Sequence, residues 1–233
     1  MHVRRRFLLY ASIIVTTNPG TWRPLSRRFF NRDPRRVAPE LLGKLLVRGH
    51  GARLRAGRIV EVEAYLGKDD PAAHAFSGPT ARNHVLFGPP GRAYVYFIYG
   101  NHFCLNVSCE PKGKAGSVLF RALEPVLGIS QMLRARGMDP RAACAPLKLV
   151  ASGPGRLAEA MGITRERDND ADLTDPASSL WIADDGYRCR QIAATPRIGL
   201  TKAAEQPLRY LVADSKFTSR SPRPPAFTKN LRS

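Results

Sequence analysis

Residues 57–66, Gly-Arg-Ile-Val-Glu-Val-Glu-Ala-Tyr-Leu, alternate so that Val60, Val62 and Ala64 fall on one face of a strand and Glu61, Glu63 and Tyr65 on the other. Side chains at i and i+2 of a strand point the same way, roughly 6.5–7 Å apart along it. The pattern therefore offers an acid or base beside an aromatic ring on a rigid element, although a solvated strand face would read the same way. Further along, Arg121 sits in the apolar run Ser-Val-Leu-Phe-Arg-Ala-Leu-Glu-Pro. A buried guanidinium needs an anion to pair with. Glu63 is the structural candidate, and a phosphate or an activated water the functional one.

Aromatic residues form the second constellation. Tyr94 and Tyr96 share a strand face, and Tyr99 stands at a hairpin tip beside Gly100, which permits a tight turn. Strand propensity and core packing explain such tyrosines; stacking on a base or wedging into a duplex is their other physical use. Asn106 alternates with Phe103, Leu105 and Val107, so it is a polar residue in an apolar strand that needs a partner. His74 with Asp69, Asp70 and Glu63 could suggest a metal site, but no other ligand-spaced His or Cys supports it. Cys104, Cys109, Cys144 and Cys189 contain no CxxC pair and read as reduced, mostly buried thiols.

Composition narrows the partner. The 233 residues carry 37 Lys plus Arg against 19 Asp plus Glu, a formal net charge of +18. That excess suits a polyanion, nucleic acid first, though a GC-rich genome also inflates Arg. A 43% hydrophobic content suffices for one substantial core. The basic start and the apolar run Phe7 to Val15 imitate a signal peptide, but Thr-Thr-Asn-Pro-Gly-Thr-Trp follows without a small-x-small cleavage site, and the run is too short to span a bilayer.

These residues must be positioned by a mixed set of elements. The sequence predicts a short helix over 38–43 with Pro39 in its first turn and Gly43 ending it, then strands over 44–48 and 57–66. A long Gly/Pro-rich segment over 67–92 is functional or disordered. A hairpin follows, with strands over 93–99 and 103–108, then a strand over 117–123. Pro125 opens a helix running to about Arg136, Ser152 caps another, and 164–179 is a polar loop. Short strands near 180–183 and 208–212 complete an antiparallel sheet in one α+β domain.

The segments Arg58 to Gly67, Ala72-Ala-His74, Arg82-Asn83, Tyr94 to Gly100, Phe103 to Asn106, Val118 to Pro125, Ser152-Gly-Pro154 and Pro207 to Tyr210 resemble the alkyladenine (3-methyladenine) DNA glycosylases in order and spacing, from about Phe29 to Val212. The resemblance implies a single α+β domain with a curved, mainly antiparallel sheet surrounded by helices, and a β-hairpin that inserts into DNA. It also implies base excision, in which a damaged purine is flipped out and its N-glycosidic bond hydrolysed without metal or cofactor. Carried over by position, Glu63 is the general base and Arg121 helps hold the attacking water. Tyr65 stacks on one side of the base, Tyr96 packs near the other, and His74 bonds the purine edge. Asn106 excludes guanine by clashing with its exocyclic amine, while Tyr99 fills the gap left in the helix. No lysine stands beside Glu63 or the tyrosines to form a Schiff base, so a monofunctional hydrolase is expected.

The expected layout is an extension without fixed structure over 1–22, a catalytic domain over 23–216 and a basic tail over 217–233. The expected partner is double-stranded DNA carrying damaged purines. The chain is expected to act as a monomer without membrane association, in the cytoplasm at the nucleoid if bacterial and in the nucleus if eukaryotic. A non-catalytic lesion-binding protein and a metal-dependent hydrolase are the rival readings.

Overall fold

The protein is described from a computed structural model that covers residues 18–98, 100, 102–141 and 146–219. Tyr99 and Cys144 lie outside the described residues. In chain order the main elements are β1 (Arg23–Pro24), α1 (Arg27–Phe30), α2 (Pro34–Leu41), β2 (Leu45–Arg48), β3 (Arg55–Tyr65), β4 (Ala93–Ile98), β5 (His102–Cys109), β6 (Gly116–Leu127), α3 (Ile129–Ala135), α4 (Lys148–Ala151), α5 (Pro154–Met161), α6 (Arg165–Asp168), β7 (Leu180–Asp184), β8 (Ile192–Thr195) and β9 (Arg209–Val212). The strands form one curled antiparallel sheet in the order β1-β7-β2-β3-β6-β5-β4, with β9 and then β8 branching from β3. This is the expected α+β single domain.

β3 is the spine of the sheet. One edge pairs with β6 along its length, while the other is shared by β2 over 55–58 and β9 over 61–63. Val60, Val62 and Ala64 face the main core, into which α2, α3 and α5 insert Val37, Leu41, Met132, Leu157 and Met161. The opposite face is not solvated: Glu61 and Glu63 are fully buried. The β3–β6 register slips three times, and the two slips between Ile59 and Val62 leave Val60 on β3 and Arg121 on β6 without partners in this pairing. Paired bulges of this kind re-aim side chains locally, and here Arg121 is turned onto the two glutamates.

Several boundaries differ from the sequence expectation. The first core helix starts at Pro34, because Asp33 caps it by accepting from the Arg35 N–H, and Pro39 falls inside it. Pro125 lies in β6, not at a helix start; it pairs with Gly57 beside a register irregularity, where a strand tolerates proline. The helix begins after Gly128, whose φ of 70° turns the chain. Gly153, not Ser152, is the N-cap of α5. The polar 164–179 segment contains α6, capped by the Thr164 hydroxyl, and β8 was not anticipated. Pro19–Thr21 forms a 3-10 turn, and Trp22 packs against Trp181 with ring centroids 6.5 Å apart.

Candidate active site

β3 presents Glu63 and Tyr65 two residues apart, the β6 bulge brings Arg121, and the 196–200 segment between β8 and β9 closes over them. Glu63 Oε1 accepts from the Ile198 N–H at 2.9 Å and lies 3.1 Å from Arg121 Nη1. Its Oε2 accepts from the Tyr65 hydroxyl at 3.0 Å. Among the described residues these contacts fill three of a carboxylate's roughly four acceptor positions. Glu61 is more heavily engaged. Its Oε1 accepts from Arg121 Nε at 3.0 Å, Arg209 Nε at 2.8 Å and the Ser219 hydroxyl at 2.6 Å, and its Oε2 from the Ser219 N–H at 2.5 Å. Arg121 therefore spans both carboxylates, and Glu61 is a structural anchor rather than half of an acid/base dyad.

Above this cluster lies a cavity of about 510 Å³ lined by Tyr65, His74, Tyr94, Tyr96, Asn106 and Arg121, among others. That volume falls in the usual range for small-molecule sites, roughly 300–1,000 Å³. Glu63 is fully buried and bonded to three of the lining residues, Tyr65, Arg121 and Ile198. His74 Nδ1 is 2.9 Å from the Tyr94 hydroxyl, and its ring stands edge-on to Tyr96 at 4.5 Å between centroids. Asn106 Nδ2 donates to the Tyr94 carbonyl at 3.3 Å across the β4–β5 pairing, which supplies its expected partner. Glu63, Arg121, Tyr65, His74, Tyr96 and Asn106 are thus gathered around one cavity.

Burial and neighbouring charge tune these groups. Burial, then Arg82, lowers the His74 pKa, so at neutral pH its imidazole is uncharged and able to donate or accept one hydrogen bond. Burial and the Glu63 charge push the Tyr65 phenol upward, and burial followed by Cys104 does the same for Tyr96. For Arg121, burial disfavours the cation, but Glu63 and Glu61 outweigh it and the pKa rises. Burial likewise works against the Glu61 carboxylate, yet Arg121, Arg209 and Ser219 together lower its pKa.

Two acidic residues of the metal-hydrolase reading, Glu63 and Asp70, are otherwise occupied, Glu63 by Arg121 and Asp70 by Arg197. Asp70 is fully buried in a bidentate pair with Arg197 at 2.5 and 2.8 Å. Among the described residues no group of three or more His, Cys, Asp or Glu is placed to hold a metal. Sequence reasoning did not single out Arg197, Ile198 or Ser219, all distant along the chain from β3, and Arg209 entered it only within the Pro207 to Tyr210 segment. Asn83, quoted only as part of a motif, ties down the long loop: its side-chain amide donates to the carbonyls of His74 and Gly78, and its oxygen accepts from the Thr80 N–H. Spacing carried no signal for these partners.

A comparison with protein families matches residues 28–216 to the model described as methylpurine-DNA glycosylase. A relative from Koribacter versatilis is 62% identical over 196 residues, covering 84% of this chain and 93% of its own. One from Rhodopseudomonas palustris is 48% identical over 209 residues, covering 88% and 92%. One from Methanoculleus marisnigri is 46% identical over 202 residues, covering 84% and 98%. All three bear the provisional name 3-methyladenine DNA glycosylase. With its matched span and its site on one sheet, the chain belongs to the methylpurine-DNA glycosylase family.

Proposed function

We propose that this DNA glycosylase flips alkylated purines of the 3-methyladenine and 7-methylguanine type out of duplex DNA and hydrolyses their N-glycosidic bond. The observation that carries the reading is the juxtaposition of Glu63 and Arg121 beneath a cavity walled by Tyr65, His74 and Tyr96. A water at the open position of Glu63 attacks C1′ of the sugar as Glu63 takes its proton. The electrons of the breaking C–N bond leave with the purine, which is already a good leaving group when alkylated. Products are a free base and an abasic sugar bearing a hydroxyl. Arg121 fixes the water and the charge on Glu63; Tyr65 and Tyr96 enclose the base, whose flat, electron-poor surface gains from tyrosine faces.

His74 bonds the purine edge, and Asn106 discriminates against guanine by clashing with its exocyclic amine, a penalty that 7-methylguanine offsets through its cationic ring and better leaving group. The β4–β5 hairpin enters the duplex, with Tyr99 filling the space the purine leaves. The enzyme is monofunctional and works as a monomer, without a metal, on DNA in the cytoplasm at the nucleoid. Residues 23–216 are its catalytic domain. The net charge of +18 supplies salt-sensitive, sequence-independent affinity for phosphates.

A panel of single-lesion duplexes tests this reading. Release of 3-methyladenine, an intact abasic strand and no borohydride-trapped complex are expected. Tight binding of lesions with no base released would instead favour a lesion-binding protein.

A further inference from the structure

Arg197 has no part in the chemistry above, yet it lies directly behind the stacking wall. Its side chain is fully buried, and its guanidinium carbon is 4.6 Å from the centroid of the Tyr65 ring. Asp70 holds it there through the bidentate pair, and Arg197 Nη1 also donates to the Ala64 carbonyl at 3.0 Å. Asp70 is itself fixed, accepting from the backbone N–H groups of Leu66 and Ala72 at 3.2 and 3.1 Å. The guanidinium is therefore built in, and not a surface side chain resting on a ring.

A tyrosine ring has two faces. Arg197 lies over one, and Tyr65 lines the cavity, where the stacking reading seats the base on the other. A cation over one face draws π density toward itself and adds a positive field at the opposite face. A second cation stacking there is attracted less than it would be by a free tyrosine. A neutral base, held mainly by dispersion and burial, is scarcely affected. Asp70 reduces the field of the pair, but the guanidinium is the member lying over the ring.

We propose that Arg197 is a specificity-determining residue: its charge, held over the ring by Asp70, limits how strongly Tyr65 prefers cationic alkylated purines over neutral damaged purines. The proposal rests on the reading that Tyr65 stacks on the flipped base. It assigns Asp70 and Arg197, which touch neither substrate nor water, a role in the breadth of lesions accepted.

The test is equilibrium binding to two duplexes whose lesions carry 2′-fluoro sugars to resist cleavage, one with cationic 7-methylguanine and one with neutral hypoxanthine. Wild type is compared with Asp70→Asn/Arg197→Met, which removes both charges together, so that neither charge is left buried without its partner. The affinity ratio of cationic to neutral lesion should rise roughly three- to tenfold in the double variant. Arg197→Lys should leave it within about twofold, because the charge remains. Asp70→Asn alone, isosteric and leaving the guanidinium unbalanced, should lower the ratio and provides a second measurement if the double variant does not fold. A merely structural role would weaken both affinities in parallel; an unchanged ratio in these variants overturns the proposal. If wild type bound neither lesion more tightly than undamaged duplex, the functional reading itself would fail.

Discussion

Replacing Glu61 by glutamine removes the carboxylate that Arg121 and Arg209 share while keeping the side chain's shape. The amide cannot satisfy the same donors. With its nitrogen at the Oε1 position it would face Arg121 Nε, Arg209 Nε and the Ser219 hydroxyl; at the Oε2 position it would face the Ser219 N–H. Two buried guanidinium groups also lose their shared counter-charge, although Arg121 keeps Glu63. Removing one member of a buried ion pair costs about 3–5 kcal/mol, a large part of the ~5–15 kcal/mol that holds a typical domain together. With a urea m-value of about 2–3 kcal/mol per molar, the unfolding midpoint should fall by about 1–2.5 M. Urea titration followed by tryptophan fluorescence, which reports on the packed Trp22 and Trp181 pair, reads this shift. A midpoint within about 0.3 M of wild type would refute the assignment of Glu61 as the electrostatic anchor of Arg121 and Arg209.

Two further outcomes follow from the geometry. Gly67→Ala should destabilise the fold by at least ~2 kcal/mol, since Gly67 has φ 69° and an added Cβ would stand 2.1 Å from the Ala115 carbonyl oxygen; its midpoint of thermal unfolding measures the cost. Asp184, despite burial that favours the neutral acid, is held down to about 2 by Lys44, the Gly186 N–H and Arg188. Because its folded pKa lies below the unfolded value, its contribution is complete above that value and fades as pH falls toward 2. Stability measured against pH should therefore lose a component in that window, and Asp184→Asn should lack it.

What could be read in the chain was local. The alternation on β3 placed Glu63 beside Tyr65, and the tyrosines of β4 and the polar residue of β5 face the same cavity because strand periodicity fixes faces without knowledge of neighbours. The role of the second face was not legible. Glu61 and Glu63 resemble a solvated pair until Arg209 from β9, Ser219 from the C-terminal segment and Arg121 from a bulge arrive to bury them, and no spacing rule encodes a bulge or a contact 158 residues away. Helix starts failed for a related reason. Pro125 carries a helix-opening signal, but pairing with β3 extends β6 past it, so tertiary contact overrode local preference. Asp70 resembled a metal ligand in sequence, and only the arrival of Arg197 reveals its use.

Single-turnover release of 3-methyladenine by Glu63→Gln bears most directly on the account. The substitution keeps the shape of the side chain and should leave lesion-duplex affinity within a few-fold, while the released base falls to the background of spontaneous depurination. Release by a folded Glu63→Gln enzyme at near the wild-type rate would contradict Glu63 as the base that activates water.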